Sequence, residues 1–554
     1  LNQGIRPGPL PARRRAPARI LASAALAWLA TVGPGVAQDG AEDRPFDLVL
    51  TGGQVFDGSG APARRLDLGI RGRRITALGE LAAADATRRI ELAGLAVAPG
   101  FIDLHAHADA VALRRPQATN FVAMGVTTLI TGNCGSSTAD LAAHLTAVER
   151  RGIGVNYGSL IGHGTVRGAV LGTANRAPSA DELRSMRGLV ERAMAAGAFG
   201  LSTGLIYVPG TFATTAEIAA LAAELAPFGG VYATHMRDEG DGVLRSIDEA
   251  LRIGAEAGVA VHISHLKASG RPNWGRGAEI AARLRAARAA GQPVTGDQYA
   301  YTASSTGLDV LFPSDALAVG RRAFGARLRD DPAFRAAMVA AVRAGIERSG
   351  FDDLDHAQVA SAPGTEAANG LRIPAVAALL FGDQGLAEQA EAVVELTARA
   401  EGRRVGMVYH KMAEADVETL LRLPFVAVAS DAGIRGTVTT ERPHPRGAGN
   451  NPRVLGRYVR ERRSLPLALA VHKMSGLPAA AFGIEDRGSI RRGAFADLVV
   501  FDPGQVLDGA TYEDPTTAPA GIRFVFVNGA AAVDEGAPTG ALAGQVLRRR
   551  GPAR

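Results

Sequence analysis

Eight short apolar runs, separated by alanine-rich helical stretches, constrain this chain more than any other feature of it. They occupy residues 100–105, 127–132, 154–160, 199–203, 231–235, 259–265, 294–297 and 425–431. The helices between them carry their own start signals. Ser179-Ala180-Asp181-Glu182 and Thr214-Thr215-Ala216-Glu217 both have the Ser/Thr-x-x-Glu spacing of a capping box. Strand–helix units repeated this often predict a closed (β/α)8 barrel of the TIM type rather than an open doubly wound sheet. No glycine-rich nucleotide fingerprint follows the first run, which argues further against the open sheet.

The two ends of the chain read differently. Phe46-Asp47-Leu48-Val49-Leu50-Thr51 alternates, with Phe46, Leu48 and Leu50 on one face, and short strands follow at 66–70, 75–78 and 90–92. Apolar runs at 493–501 and 522–529 mirror them. One small β-sandwich built from both ends, residues 46–98 and 486–550, is therefore expected around a barrel of residues 99–485. The regular spacing breaks between 313 and 404, where helical patterns fill 332–346 and 387–400. This interval reads as an inserted, lid-like segment; a structural excursion or an oligomer contact is the other reading.

Of the 554 residues 47% are apolar, enough for a large core. The formal charge of +6 is scattered, with no basic stripe interleaved with aromatics, which argues against nucleic-acid binding. One cysteine, Cys134, excludes an internal disulfide framework. Residues 1–40 have the order of a signal peptide: Arg13-Arg14-Arg15 and Arg19, an apolar stretch over 20–32, then Gly35-Val36-Ala37. Export to a periplasm or beyond is expected, with no stable membrane anchor after cleavage; an uncleaved anchor is the alternative.

Barrel enzymes carry their reacting groups at the C-terminal ends of the strands. Here those ends read His105 and His107, Cys134, His235, His265 and Asp431. On a strand, residues two apart share a face, so His105 and His107 are expected to point the same way. Any one of these residues could be a packed histidine or a core cysteine. Their recurrence at equivalent positions points instead to a metal centre, and imidazole with thiolate suits zinc with an open position. His262 falls on the opposite face from His265 and reads as packed or supporting. Asp431 could exchange protons with a water and a leaving amine; a strand-end turn or helix cap is its other reading.

Pro99-Gly100-Phe101-Ile102-Asp103-Leu104-His105-Ala106-His107, two later strand-end histidines and Ser430-Asp431 together resemble the amidohydrolase superfamily. Within it, Gly132-Asn133-Cys134-Gly135, Gly200-Leu201-Ser202-Thr203-Gly204-Leu205, Thr234-His235-Met236-Arg237-Asp238-Glu239, Ser264-His265-Leu266-Lys267 and His444-Pro445-Arg446 resemble the N-acyl-D-amino-acid deacylases (D-aminoacylases). The likeness runs from Phe46 to Gly529.

That resemblance implies a zinc-dependent amide hydrolase acting on small N-acyl-D-amino acids. It implies that Cys134, His235 and His265 hold the tight zinc ion, and that His105 and His107, with Cys134 as a bridge, form a second, weaker site. Asp431 would be the catalytic acid/base. The substrate α-carboxylate would lie among Tyr207, Lys267, Tyr299 and Arg446, a choice that fits the chemistry of a guanidinium fork, an ammonium and neutral phenols. Many relatives bridge their metals with a carboxylated lysine, but none of the three lysines here (Lys267, Lys411, Lys473) stands where Cys134 does. His163 and Arg167 are further pocket or supporting candidates. The chain departs from the pattern in its leader, in a long stretch from Asp431 to Arg446, and in Gly449-Asn450-Asn451. Hydrolysis of a cyclic amide or a dipeptide is an alternative, as is a periplasmic binding protein without turnover.

Overall fold

The structure is a computed structural model that describes residues 44–436 and 440–549. The signal-like segment 1–40 lies outside the described residues, and everything below concerns the unit that begins at Pro45.

The eight apolar runs form eight parallel barrel strands: Phe101–Asp103, Val126–Thr131, Asn156–Ser159 continued by Ile161–Gly162, Gly200–Gly204, Val231–His235, Ala260–Ile263, Val294–Gln298 and Val426–Val428. Ladders join the first to the second and the second to the third. From Ile161–Gly162 a second series of ladders runs through to the eighth strand. A parallel bridge between Ala106 and Ala432 closes the ring, and the His107 N–H donates to the Ala432 carbonyl at 2.8 Å. The third strand is split at Leu160, whose N–H turns to the Thr131 carbonyl at 2.8 Å.

The first and last strands are shorter than their apolar runs. They stop at Asp103 and Val428, so His105 and Asp431 sit on the turns beyond. Asp103 explains the early stop. Its buried carboxylate accepts the His105 N–H at 3.0 Å and the Ser430 N–H at 3.1 Å, so side-chain bonds replace ladder bonds there.

Both chain ends meet in a two-sheet sandwich. One sheet is ordered Arg74–Gly79, Asp67–Arg71, Phe46–Thr51, Ala86–Glu91. The other pairs Leu498–Phe501 from the far end with Ala96–Pro99, directly ahead of the first barrel strand. Leu498 and Val500 face the sandwich core with Leu48, Leu50, Val97 and Phe526, whereas Val499 and Phe501 join the barrel core. Burial on both faces is why this run is apolar without alternation. Residues 486–550 do not all belong to the sandwich. The stretch 541–549 leaves it for the base of the barrel, where Gly544, Leu547 and Arg549 donate N–H groups to the carbonyls of Ile153, Tyr157 and Gly197.

The insertion is also wider than residues 313–404. It opens at Ser304–Gly307 and closes at Gly406–Tyr409, which is the central strand of an antiparallel sheet between Ser304–Gly307 and Ala357–Ser361. Helices Arg321–Asp330, Pro332–Arg348, Ile373–Phe381 and Leu386–Arg399 pack on it around a core of their own that includes Phe324, Leu328, Val359, Val393 and Met407.

Candidate metal centre

A cavity of about 1990 Å³ lies between the C-terminal ends of the barrel strands and the insertion. His107, Cys134, His235, His265 and Asp431 line its barrel side; Thr306, Val342, Phe351 and Tyr409 line its insertion side.

Three of these site residues, Cys134, His265 and Asp431, have left-handed backbone, with φ of 52°, 35° and 53°. Such a conformation is costly outside glycine and persists where the surroundings over-determine it, as at functional sites. Around Cys134 the cause is visible. A Cβ on Gly204 would stand 2.2 Å from the Cys134 carbonyl, and one on Gly162 would stand 2.5 Å from the Gly135 carbonyl. The second barrel loop is thus pressed onto bare backbone of the third and fourth strands, which fixes the thiol at the barrel mouth.

The side chains converge tightly. Cys134 Sγ lies 3.2 Å from His105 Nε2 and 3.6 Å from His265 Nε2, and His265 Nε2 is 2.9 Å from His235 Nδ1. His107 Nε2 stands 2.9 Å from Asp431 Oδ1. Three overlapping groups could each grip one cation: His105–His107–Cys134, Cys134–His235–His265 and His105–His265–Asp431. Two ligands at zinc distances and a tetrahedral angle lie roughly 3.3–3.6 Å apart, close to the sulfur–nitrogen spacings here. His235 Nδ1 and His265 Nε2 face each other at 2.9 Å beside the Cys134 sulfur, converging buried imidazole and thiolate donors that a cation among them would satisfy together. The donor set fits a zinc-type ion.

Acidic residues orient the donors. Asp297 Oδ2 lies 3.2 Å from His105 Nδ1 and 2.9 Å from His262 Nε2, while its Oδ1 accepts the His265 N–H at 2.8 Å. Glu239 Oε1 lies 2.9 Å from His265 Nδ1 and 2.6 Å from Lys267 Nζ. Asp431 is paired with Arg446 at 2.9 Å. Burial alone would raise the Asp431 carboxyl, but Arg446 and His105 outweigh it and hold the group ionised, well below the usual range. Burial opposes the Cys134 thiolate as well; His105 outweighs that, and the sulfur is held as thiolate.

Tyr207, Lys267, Tyr299 and Arg446 all line the same cavity. Tyr207 Oη is 2.8 Å from Thr306 Oγ1 of the insertion, and the Arg446 guanidinium lies 4.6 Å from the Tyr299 ring centre. Both cations already have protein counter-ions, Glu239 and Asp431. His163 and Arg167 do not reach the cavity. They are fully buried against Glu217, His163 Nε2 at 3.0 Å and Arg167 in a short ion pair, behind the fourth strand. Sequence reasoning passed over Asp297, Glu239 and Asp103. Asp297 ends an apolar run as Asp431 does, so the same strand-end rule points to it.

A closed barrel with imidazoles, one thiolate and a shielded carboxylate at its strand ends defines a metal-dependent hydrolase of the amidohydrolase class. The family model described as the amidohydrolase family matches residues 88–533. The D-aminoacylase of Alcaligenes xylosoxydans xylosoxydans is 40% identical over 531 residues, covering 92% of this chain and 99% of its own. The N-acyl-D-glutamate deacylase of the same organism is 37% identical over 529 residues, covering 91% and 97%. The crystal structure of N-acyl-D-glutamate deacylase from Bordetella bronchiseptica, complexed with zinc and a phosphonate mimic of the tetrahedral intermediate, is 34% identical. It superposes with a TM-score of 0.76 over 91% of this chain and 100% of its own. The chain belongs to the amidohydrolase family and, within it, to the D-aminoacylase group.

Proposed function

We propose that this protein hydrolyses the amide of N-acyl-D-amino acids, releasing a carboxylate and a free D-amino acid. The observation that carries the reading is the strand-end cluster itself: Cys134, His235 and His265 around one point, His105 and His107 beside it, and Asp431 facing both. Full-length similarity to a D-aminoacylase supports it. Cys134, His235 and His265 would hold the tighter zinc ion, and His105 and His107 a second, weaker one. When bound, zinc supplies Lewis acidity toward an amide carbonyl and a water.

The chain's own groups supply the remainder. Asp431 is an ionised carboxylate against Arg446. It takes a proton from the attacking water and returns it to the departing amine. Tyr207, Lys267, Tyr299 and Arg446 orient the substrate α-carboxylate, which competes with Glu239 and Asp431 for the two cations. The insertion covers the cavity and limits its access to water. The leader supports export to a periplasm or beyond, where the enzyme meets its substrate; among the described residues no helix is long and apolar enough to cross a membrane.

The test is a panel of N-acetyl-D- and N-acetyl-L-amino acids, hydantoins and dipeptides, assayed with metal analysis. Turnover of the D-acyl compounds, abolished in Asp431→Asn with zinc content retained, is the expected result. Turnover confined to hydantoins or dipeptides would overturn the reading.

A further inference from the structure

Lys411 is one of three lysines in the chain and the one in this cavity that the deacylase reading leaves without a task. It stands two residues past the last strand of the insertion, Gly406–Tyr409, and is half-buried. Its backbone is clamped to the barrel: the Lys411 carbonyl accepts the Gly270 N–H at 2.9 Å and the Trp274 Nε1–H at 3.1 Å.

Among the described residues its ammonium has no counter-ion. Three other cations on the cavity wall are paired: Lys267 with Glu239, Arg446 with Asp431 and Arg237 with Glu249. Lys411 Nζ makes no ion pair or hydrogen bond among the described residues and stands 5.2 Å from the Tyr409 ring centre. The nearby carboxylates are committed. Glu239 serves His265 and Lys267, and Asp238 accepts the N–H groups of Gly240 and Gly242 at 2.7 and 2.9 Å. Burial pushes the Lys411 ammonium down and Lys267 adds to that push, against the opposing pull of Glu239 and Asp238. A half-buried ammonium without an ion-pair partner is partly stripped of water, and an arriving anion supplies the missing counter-charge.

We propose that Lys411 forms a second anion subsite, so that the preferred N-acyl amino acids carry a second carboxylate besides the α-carboxylate. This rests on the deacylase reading. The second carboxylate could belong to an acidic side chain or to a dicarboxylic acyl group; an ammonium on a clamped backbone recognises either.

The experiment compares N-acetyl-D-leucine, N-acetyl-D-glutamate and N-succinyl-D-leucine on the zinc-loaded wild type, Lys411→Met and Lys411→Arg. We expect kcat/KM for at least one dicarboxylate, relative to N-acetyl-D-leucine, to fall tenfold or more in Lys411→Met and to recover to within threefold of wild type in Lys411→Arg. The dicarboxylate affected tells which end of the substrate reaches the lysine. An unchanged ratio in Lys411→Met, or a tenfold wild-type preference for N-acetyl-D-leucine over both, overturns the subsite. Absence of turnover on all three counts against the deacylase reading. Calorimetric binding of the same compounds then decides the subsite: a tenfold loss of dicarboxylate preference in Lys411→Met supports it, and equal binding overturns it.

Discussion

Asp297 Oδ2 bridges His105 and His262, at 3.2 and 2.9 Å, and so ties the first barrel strand end to the sixth across the barrel interior. A carboxylate that fixes the orientation of an imidazole sets which nitrogen faces a metal and raises its basicity. His105 Nε2 is thereby aimed at Cys134 and Asp431.

Asp297→Asn keeps the volume and removes the charge. We expect metal affinity at the His105–His107 side to fall about 10–100-fold, with a smaller change at the Cys134–His235–His265 side. Competition titration against a chelator, read as two binding steps, measures it. Unchanged affinity at both steps would show that His105 is aimed by packing alone.

Cys134 contributes to two of the three potential ligand groups, more than a single site would need. Cys134→Ala should therefore leave less than one equivalent of zinc after desalting. Its thiolate is the soft donor of the set, so the loss should be worse for cadmium than for zinc. Full zinc content in Cys134→Ala by elemental analysis would remove the residue from the metal centre.

Much of the barrel was legible because its strands are buried and interrupted by helices with their own caps, as at Ser179 and Thr214. The site residues stood out because each follows such a run. What was illegible depends on backbone or on partners. Ser304–Gly307 is a polar strand, Ser-Ser-Thr-Gly, paired by its backbone to Gly406–Tyr409, so the insertion starts earlier than hydrophobicity suggests. The 541–549 tail is likewise held by main-chain bonds that do not depend on side-chain pattern. Glu239 was visible as a residue, but its role comes from reaching both His265 and Lys267, which sequence spacing does not specify. The shortened first strand follows from Asp103 bonding across to Ser430, a contact between residues far apart in the chain.

Gly204 tests how the thiol is placed. A Cβ there would meet the Cys134 carbonyl at 2.2 Å, a backbone atom with nowhere to go. Gly204→Ala should cost about 1–3 kcal/mol of stability through overpacking. It should also lower zinc affinity, because the displaced loop carries the sulfur. A control, Gly168→Ala, adds a Cβ into open space and should do neither. Equal melting temperatures and zinc affinities for the two variants would show that the Cys134 loop is not held by this contact.

The insertion carries its own pH response. His356 is pushed down to about 4 by burial and then by Lys411, and its ring stacks on Phe351 at 4.1 Å. His410 is pushed down to about 4 by burial and then by Arg372. Both folded values lie below the ordinary 6.5 of histidine, so between pH 6.5 and 4 the opened segment binds protons that the folded one refuses. The stability contribution is present above pH 6.5 and is lost as the pH falls toward 4. For His356 the loss is about 2 kcal/mol by pH 5; for His410, whose edge reaches solvent, it is smaller. Hydrogen exchange corrected for intrinsic rates should therefore show Ser304–Tyr409 losing protection at pH 5 relative to pH 7.5, while the strands Val231–His235 and Val294–Gln298 hold theirs. His356→Phe keeps the stacked ring without the titrating nitrogen and should flatten much of that response. Equal loss across insertion and barrel would assign the effect to global acid destabilisation instead.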